Sequence, residues 1–380
     1  AREAFSESEE CCREVLRIIA RRWSGHLEDA ELTEAGETLC HIASTTTDVD
    51  VQLKALCAMP FILTATRDAS AISEFGRCLS AVRASTLDEY QRIQLLLARA
   101  WCEDQVRNDV LARELIDEAI QLVDNTETAS SIAVRVFVGG GMLRVEHGDY
   151  SSAVPMLERA GGMARQIDNR VHLSAAAAGL AIAHGRLGNV TLQLDWANVA
   201  LGCLRADDWG IIAISAAYEK ALALALDDRF TEACVAVREL DHRFAKRRPA
   251  WATQAWHLVK ADILALAGNS RGAFAAASNG ARGKNGRLLL NDFAGLHARW
   301  QSLLARRDGT ERATLAALRE QAKAIGNYHA KDRAEVLAAI AMLEDRAGED
   351  AAGTWSEVEE QLKRLPKTVT TVMRRLGTLR

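Results

Sequence analysis

A short turn carrying glycine or an acidic residue returns about every forty residues along this chain, and that interval limits the fold more than any other feature. Gly148-Asp149 recurs as Gly188-Asn189, Asp227-Asp228, Gly268-Asn269, Asp308-Gly309 and Gly348-Glu349. Backwards, Arg107-Asn108-Asp109, Arg67-Asp68 and Glu28-Asp29 fall at the same spacing. Small residues keep the register on both sides. Five residues after the hinge lie Ala153, Ala233, Ala273, Ala313 and Gly353, with Gln193 the exception. Seven before it lie Gly141, Ala181, Ala221, Ala261 and Ala341, with Gln301 the exception. A unit of this length cannot bury its own apolar face, so copies must stack.

Each unit reads as a hairpin: helix A, a turn of a few residues, helix B. The paired small residues let the two backbones approach to the short end of the usual ~8–10 Å helix spacing. The A helices are expected at 49–65, 90–105, 129–146, 171–186, 211–226, 251–266, 288–306 and 329–346. The B helices are expected at 31–44, 70–84, 110–124, 151–167, 191–205, 230–245, 271–282, 310–325 and 350–364. Residues 5–23 add a helix with Ser6 and Glu9 as a capping box. Ser151 or Ser152 serves as an N-cap, Pro155 sits harmlessly in a first turn, and Pro60 should kink or end its helix. Four prolines, 5% aromatics and little alternation of apolar with polar residues leave no case for strands. The expected fold is all-α: a right-handed α-α superhelix of about nine hairpins filling residues 1–380 as a single domain. With no initiator Met and an abrupt end, the chain reads as a piece of a longer protein.

The stretch "GDYSSAVPMLERA", with its glycine-acid-aromatic turn, Ala153, apolar Leu157 and Ala160, resembles the tetratricopeptide repeat family. The family's usual period is about 34 residues, so every hairpin here is longer, and later units lose the aromatic and the closing proline. Repeat length, Ala/Arg-rich composition and the fragment-like ends also resemble the sensor arms of large bacterial signal-transduction ATPases that regulate transcription, the maltose activator and its LuxR-type relatives. That resemblance implies a ligand- or partner-sensing, oligomerising arm, acting on its own ATPase and DNA-binding domains or on a protein partner. The alternative is a constitutive protein-protein interaction scaffold with no small-molecule effector.

Chemistry is not legible. "GARGKNG" at 280–286 fails the phosphate-loop spacing, Asn285 stands where a hydroxyl is needed, and no strand precedes it. Gly139-Gly140-Gly141 reads as a close helix contact. The nine histidines and eight cysteines show no zinc spacing, and the cysteines read as buried free thiols. No enzyme, cofactor or metal is therefore expected. A formal charge of -4 and basic pairs interrupted by acids give no track for nucleic acid. No apolar run approaches the roughly 20 residues of a membrane span, and the polar, acidic start is no signal peptide, so a cytoplasmic protein is expected.

If tetratricopeptide geometry holds, residues 13, 10 and 6 before each hinge line a concave wall. That places Arg135, Val138 and Met142, then Ala175, Ala178 and Ile182, then Ser215, Tyr218 and Leu222, then Ala255, Leu258 and Asp262 on it. The lining is small and apolar, interrupted by Arg135, Ser215, Tyr218 and Asp262, and suits a modest organic molecule or an apolar peptide. Arg135, Met142, Ser215, Tyr218 and Asp262 are the candidate groove residues. Arg135 would meet a carboxylate or phosphate, Tyr218 would stack or hydrogen-bond, and Asp262 would accept from a hydroxyl or amine.

Overall fold

A computed structural model describes residues 7–23, 29–66, 69–82, 86–106, 108–124, 131–205, 211–243, 250–281, 294–325, 330–363 and 365–375. Among them are nineteen helices and no strand. The first is α1 (Glu7–Trp23). The A helices are α3 (Val49–Thr66), α5 (Glu89–Gln105), α7 (Ser131–Glu146), α9 (Arg170–Leu187), α11 (Ile211–Leu226), α13 (Ala250–Leu266), α15 (Ala294–Asp308) and α17 (Ala330–Ala347). The B helices are α2 (Asp29–Thr45), α4 (Ala69–Ala81), α6 (Asp109–Asp124), α8 (Tyr150–Gln166), α10 (Val190–Cys203), α12 (Phe230–Arg243), α14 (Ser270–Ala281), α16 (Glu311–Ile325) and α18 (Ala352–Lys363). A last helix, α19 (Lys367–Arg375), follows them.

Six hinges share one turn. Gly148 takes φ +80°, its N–H reaches the Val145 carbonyl at 3.1 Å, and the Asp149 N–H reaches Arg144 at 2.8 Å. This is the Schellman arrangement, which closes orphan carbonyls at a helix end and needs a left-handed residue. Gly188, Asp228, Gly268, Gly309 and Gly348 repeat the positive φ. The matching long bonds run from Asn189, Arg229, Asn269, Thr310 and Glu349 to the carbonyls five residues back. Only aspartate and asparagine visit this region with any ease besides glycine, which is why Asp228 can stand in. The hinges expected at Arg67-Asp68 and Glu28 lie outside the described residues.

Several expectations need correction. In the seventh hairpin the left-handed residue is Gly309, not Asp308, so the seam moves by one residue. Ser302, fully buried, then takes the small-residue position that Gln301 was assigned, and Ala313 is exposed. Gly353 is exposed as well, because α18 begins only at Ala352, where Asp350 accepts the Ala352 N–H at 3.0 Å. The N-cap of α8 is Asp149, whose carboxylate accepts the Ser152 N–H at 3.3 Å, rather than Ser151 or Ser152. Pro60 does not end α3, which runs on to Thr66. The proline forfeits one backbone bond, and the fully buried Leu53, Leu56, Met59 and Ile62 hold the helix through it. Ser6 and the "RGKNG" part of the loop lie outside the described residues.

By its internal contacts the chain forms two compact units. One comprises Ala1–Gly140, Arg159–Leu173 and Asp208–Gly210; the other comprises Gly141–Glu158, Ser174–Asp207 and Ile211–Arg380. In the first unit α3 packs on α5 and on α2, and Phe75 meets Trp101 edge-to-face. In the second, Ala153, Ala181, Ala221, Ala233, Ala261 and Ala273 are all buried at the helix seams. Tyr150 covers its turn, packed with Val145, Ala153, Leu157, Leu180 and Ala183. The unexpected α19 buries Val369 and Met373 against Ala334 and Leu365, closing the apolar end of the last hairpin. All eight cysteines are free thiols, three of them buried, and burial pushes Cys102 and Cys40 up to about 11.

Candidate functional site

The most distinctive chemistry lies within the second unit, where charged side chains interrupt the apolar A helices. Glu219 falls in the middle of α11, Asp262 in α13, Arg299 in α15 and Glu335 in α17, and each is at most 2% exposed. Burying a charge in this way is costly unless it is paired and its remaining hydrogen-bonding capacity is met. The pairing runs from helix to helix. Arg186 of α9 donates to both oxygens of Glu219, at 3.0 and 3.4 Å, and Gln193 donates to the same carboxylate at 2.6 Å.

Tyr218, the neighbour of Glu219 on α11, donates its hydroxyl to Asp262 at 3.1 Å. Asp262 also accepts from the Trp300 indole at 2.8 Å and from Nη2 of Arg299. The other arm of Arg299, Nη1, reaches Glu335 at 3.0 Å, and Lys331 completes Glu335 from one turn away at 3.1 Å. The six ions, Arg186, Glu219, Asp262, Arg299, Glu335 and Lys331, balance in charge. Gly295 opens α15, and its N–H donates to Asp332 at 3.1 Å. Any side chain at that glycine would collide with the Glu335 and Asp332 carboxylates.

These surroundings set the protonation states. Burial works against the Arg299 charge, yet Asp262 and Glu335 hold it firmly protonated. Arg186 is held likewise by Glu219. Burial raises the Asp262 carboxyl, with Arg299 pulling the other way. Glu335 has two cations, Lys331 and Arg299, and they overcome its burial to leave it below the usual range. Burial and the Asp262 charge keep the Tyr218 phenol neutral.

The groove residues expected from the hinge spacing are placed as follows. Tyr218 and Asp262 are brought together, at 8% and 0% exposure, and bond to each other. Asp262 takes its hydrogen bonds from the protein. Ser215 is half-buried on α11, and Met142 is half-buried against the Tyr150–Leu157 cluster. In the first unit Arg135 is half-buried on α7, and its charge adds to burial in holding the His172 imidazole down at about 4. Of the other lining positions in the second unit, Ala175, Ala178, Leu222, Ala255 and Leu258 are buried and Ile182 is half-buried. The wall positions counted up to the hinge at 268 leave out Arg299 and Glu335, and Glu219 falls between the counted positions. Their signal was a charge inside an otherwise apolar run, Glu219 in "AAYEKALALAL" and Glu335 in "RAEVLAAIAML".

No protein-family model matches the chain, and no curated protein sequence matches it. Solved structures do. One is a Rap protein complexed with competence and sporulation factor, at 13% identity and TM-score 0.50, covering 93% of this chain and 99% of that one. NprR in complex with its cognate peptide NprX matches at 10% identity and TM-score 0.54, over 94% of this chain and 100% of that one. The Rap conjugation gene regulator of plasmid pLS20, in complex with the Phr* peptide, matches at 12% and 0.54, over 97% and 98%. With the repeated hinge turn and the paired A and B helices, these likenesses identify the fold of the chain as that of a tetratricopeptide-like helical-repeat protein.

Proposed function

We propose that the chain is a sensing module that binds a short peptide or a segment of a partner protein and passes its occupancy on by a change in helix packing. One observation carries the reading: three solved relatives in fold match nearly end to end, and each is described in complex with a peptide or a sporulation factor. Differential affinity for two packings of the A helices would supply the response. The module acts by binding, without catalysis. The finer reading makes it the sensing and oligomerising arm of a multidomain bacterial transcription regulator. The full reading frame tests that part: a nucleotide-binding ATPase and a DNA-binding module beside these residues support it, and their absence overturns it.

A scaffold with no small-molecule input is the second reading, favoured by the packed state of the A-helix positions around Tyr218 and Asp262. A thermal-shift screen of metabolites and short peptides separates the two. The sensing reading expects a saturable stabiliser whose effect falls in Met142→Trp or Ser215→Trp. A panel that leaves the melting point unmoved, while a folded protein partner binds stoichiometrically, favours the scaffold.

A further inference from the structure

Arg299 is held in a manner that a structural ion pair does not require. Its guanidinium lies between carboxylates from two other helices, Asp262 of α13 and Glu335 of α17, at 1% exposure. Each carboxylate has further donors of its own. Asp262 keeps Tyr218 and Trp300, and Glu335 keeps Lys331. These partners orient both acids independently of Arg299, and Lys331 offsets the Glu335 charge. A planar fork bridging two carboxylates is a geometry that guanidinium fits and ammonium does not. The Nε atom of Arg299 is buried with no acceptor among the described residues, so the cradle grips only the two terminal nitrogens. That is how a site for the end of an alkylguanidinium would look.

We propose that Asp262, Glu335 and Tyr218 form a guanidinium receptor, kept filled in the resting protein by the chain's own Arg299, which an arginine-bearing partner must displace. The receptor half stands on the geometry alone. The displacement half rests on the partner-binding reading above.

The test is chemical rescue of Arg299→Ala with methylguanidinium. The variant should melt well below wild type, and millimolar methylguanidinium should raise its melting point by at least about 3 °C while leaving wild type unmoved. Methylammonium and sodium chloride at equal concentration should do neither. Asp262→Asn combined with Arg299→Ala should lose the rescue. If Arg299→Ala does not fold unaided, its refolding yield from urea with methylguanidinium against methylammonium gives the same comparison. Equal responses to the two cations, or rescue retained in the double variant, overturn the receptor. For displacement, peptides carrying arginine should bind Arg299→Ala at least tenfold more tightly than wild type, and their citrulline counterparts should show no such gain. Peptides that bind both proteins equally, with arginine or citrulline, overturn displacement and leave peptide sensing itself standing.

Discussion

Gly185 and Gln193 make a coupled pair whose energetics can be worked from the structure. Gln193 occupies the seam position that alanine fills at 153, 233 and 273, yet it is fully buried. The room comes from Gly185 on α9: a Cβ there would lie 2.6 Å from Gln193 Cδ and 2.7 Å from its Nε2. Gly185→Ala must therefore push the amide away from Glu219, which it now reaches at 2.6 Å. Overpacking costs about 1–3 kcal/mol. Weakening a bond to a buried carboxylate costs up to about 1.5–3 kcal/mol more. Against this, alanine in a helix interior gains about 0.5–1 kcal/mol over glycine. The expected net loss is about 2–4 kcal/mol. In a Gln193→Ala background the clash and the bond are both absent, so the same Gly185→Ala change should stabilise by about 0.5–1 kcal/mol. Urea unfolding followed by circular dichroism on the four proteins of the cycle measures both numbers. A loss of the same size in both backgrounds would refute the pairing.

Other perturbations have comparably definite outcomes. Ala181→Leu and Ala233→Leu, both at buried seams, should each lose about 1–3 kcal/mol in urea unfolding, while Ala313→Leu should be near neutral because that residue is exposed. Met373→Ala should cost about 2–4 kcal/mol, read as a lower melting temperature, since the side chain anchors α19. His172 is held neutral, down at about 4 against an ordinary 6.5, mainly by burial and then by Arg135. A depressed folded pKa gives stability that is present above 6.5 and lost as pH falls towards 4, by up to about 3 kcal/mol. Unfolding free energies across that window should show the loss in the wild type and a flatter profile in His172→Phe.

The sequence made the repeat legible because a left-handed turn tolerates so few residues that glycine or aspartate marks it at the six hinges from Gly148 to Gly348. Offsets of one residue were not legible. Asp308 and Gly309 are both turn residues, and only the backbone decides which takes positive φ. α19 was missed because it belongs to no repeat, although Pro366 and the spacing of Val369 and Met373 foreshadow a short amphipathic helix. The candidate site was legible only in part. Asp262 and Tyr218 came from hinge counting over the units up to Gly268. Their partners keep the same count in the two units beyond it: Arg299 stands ten residues before Gly309 and Glu335 thirteen before Gly348, and the one-residue offset of the hinge in the seventh hairpin masks the first of these. Glu219, nine residues before Asp228, falls between the counted positions and left only a charge within an apolar run as its trace.

Binding of peptides to the isolated chain tests the central claim, that this stack of hairpins is a sensor of extended segments. A library of random short peptides should be titrated against the chain by fluorescence polarisation and the best binder examined by calorimetry. The account predicts saturable one-to-one binding that weakens at least tenfold in Ser215→Trp or Met142→Trp and is unchanged by Asp195→Ala on the exposed face of α10. Binding that survives the first two variants and fails in the third, or no saturable peptide while the fold is intact, would contradict it.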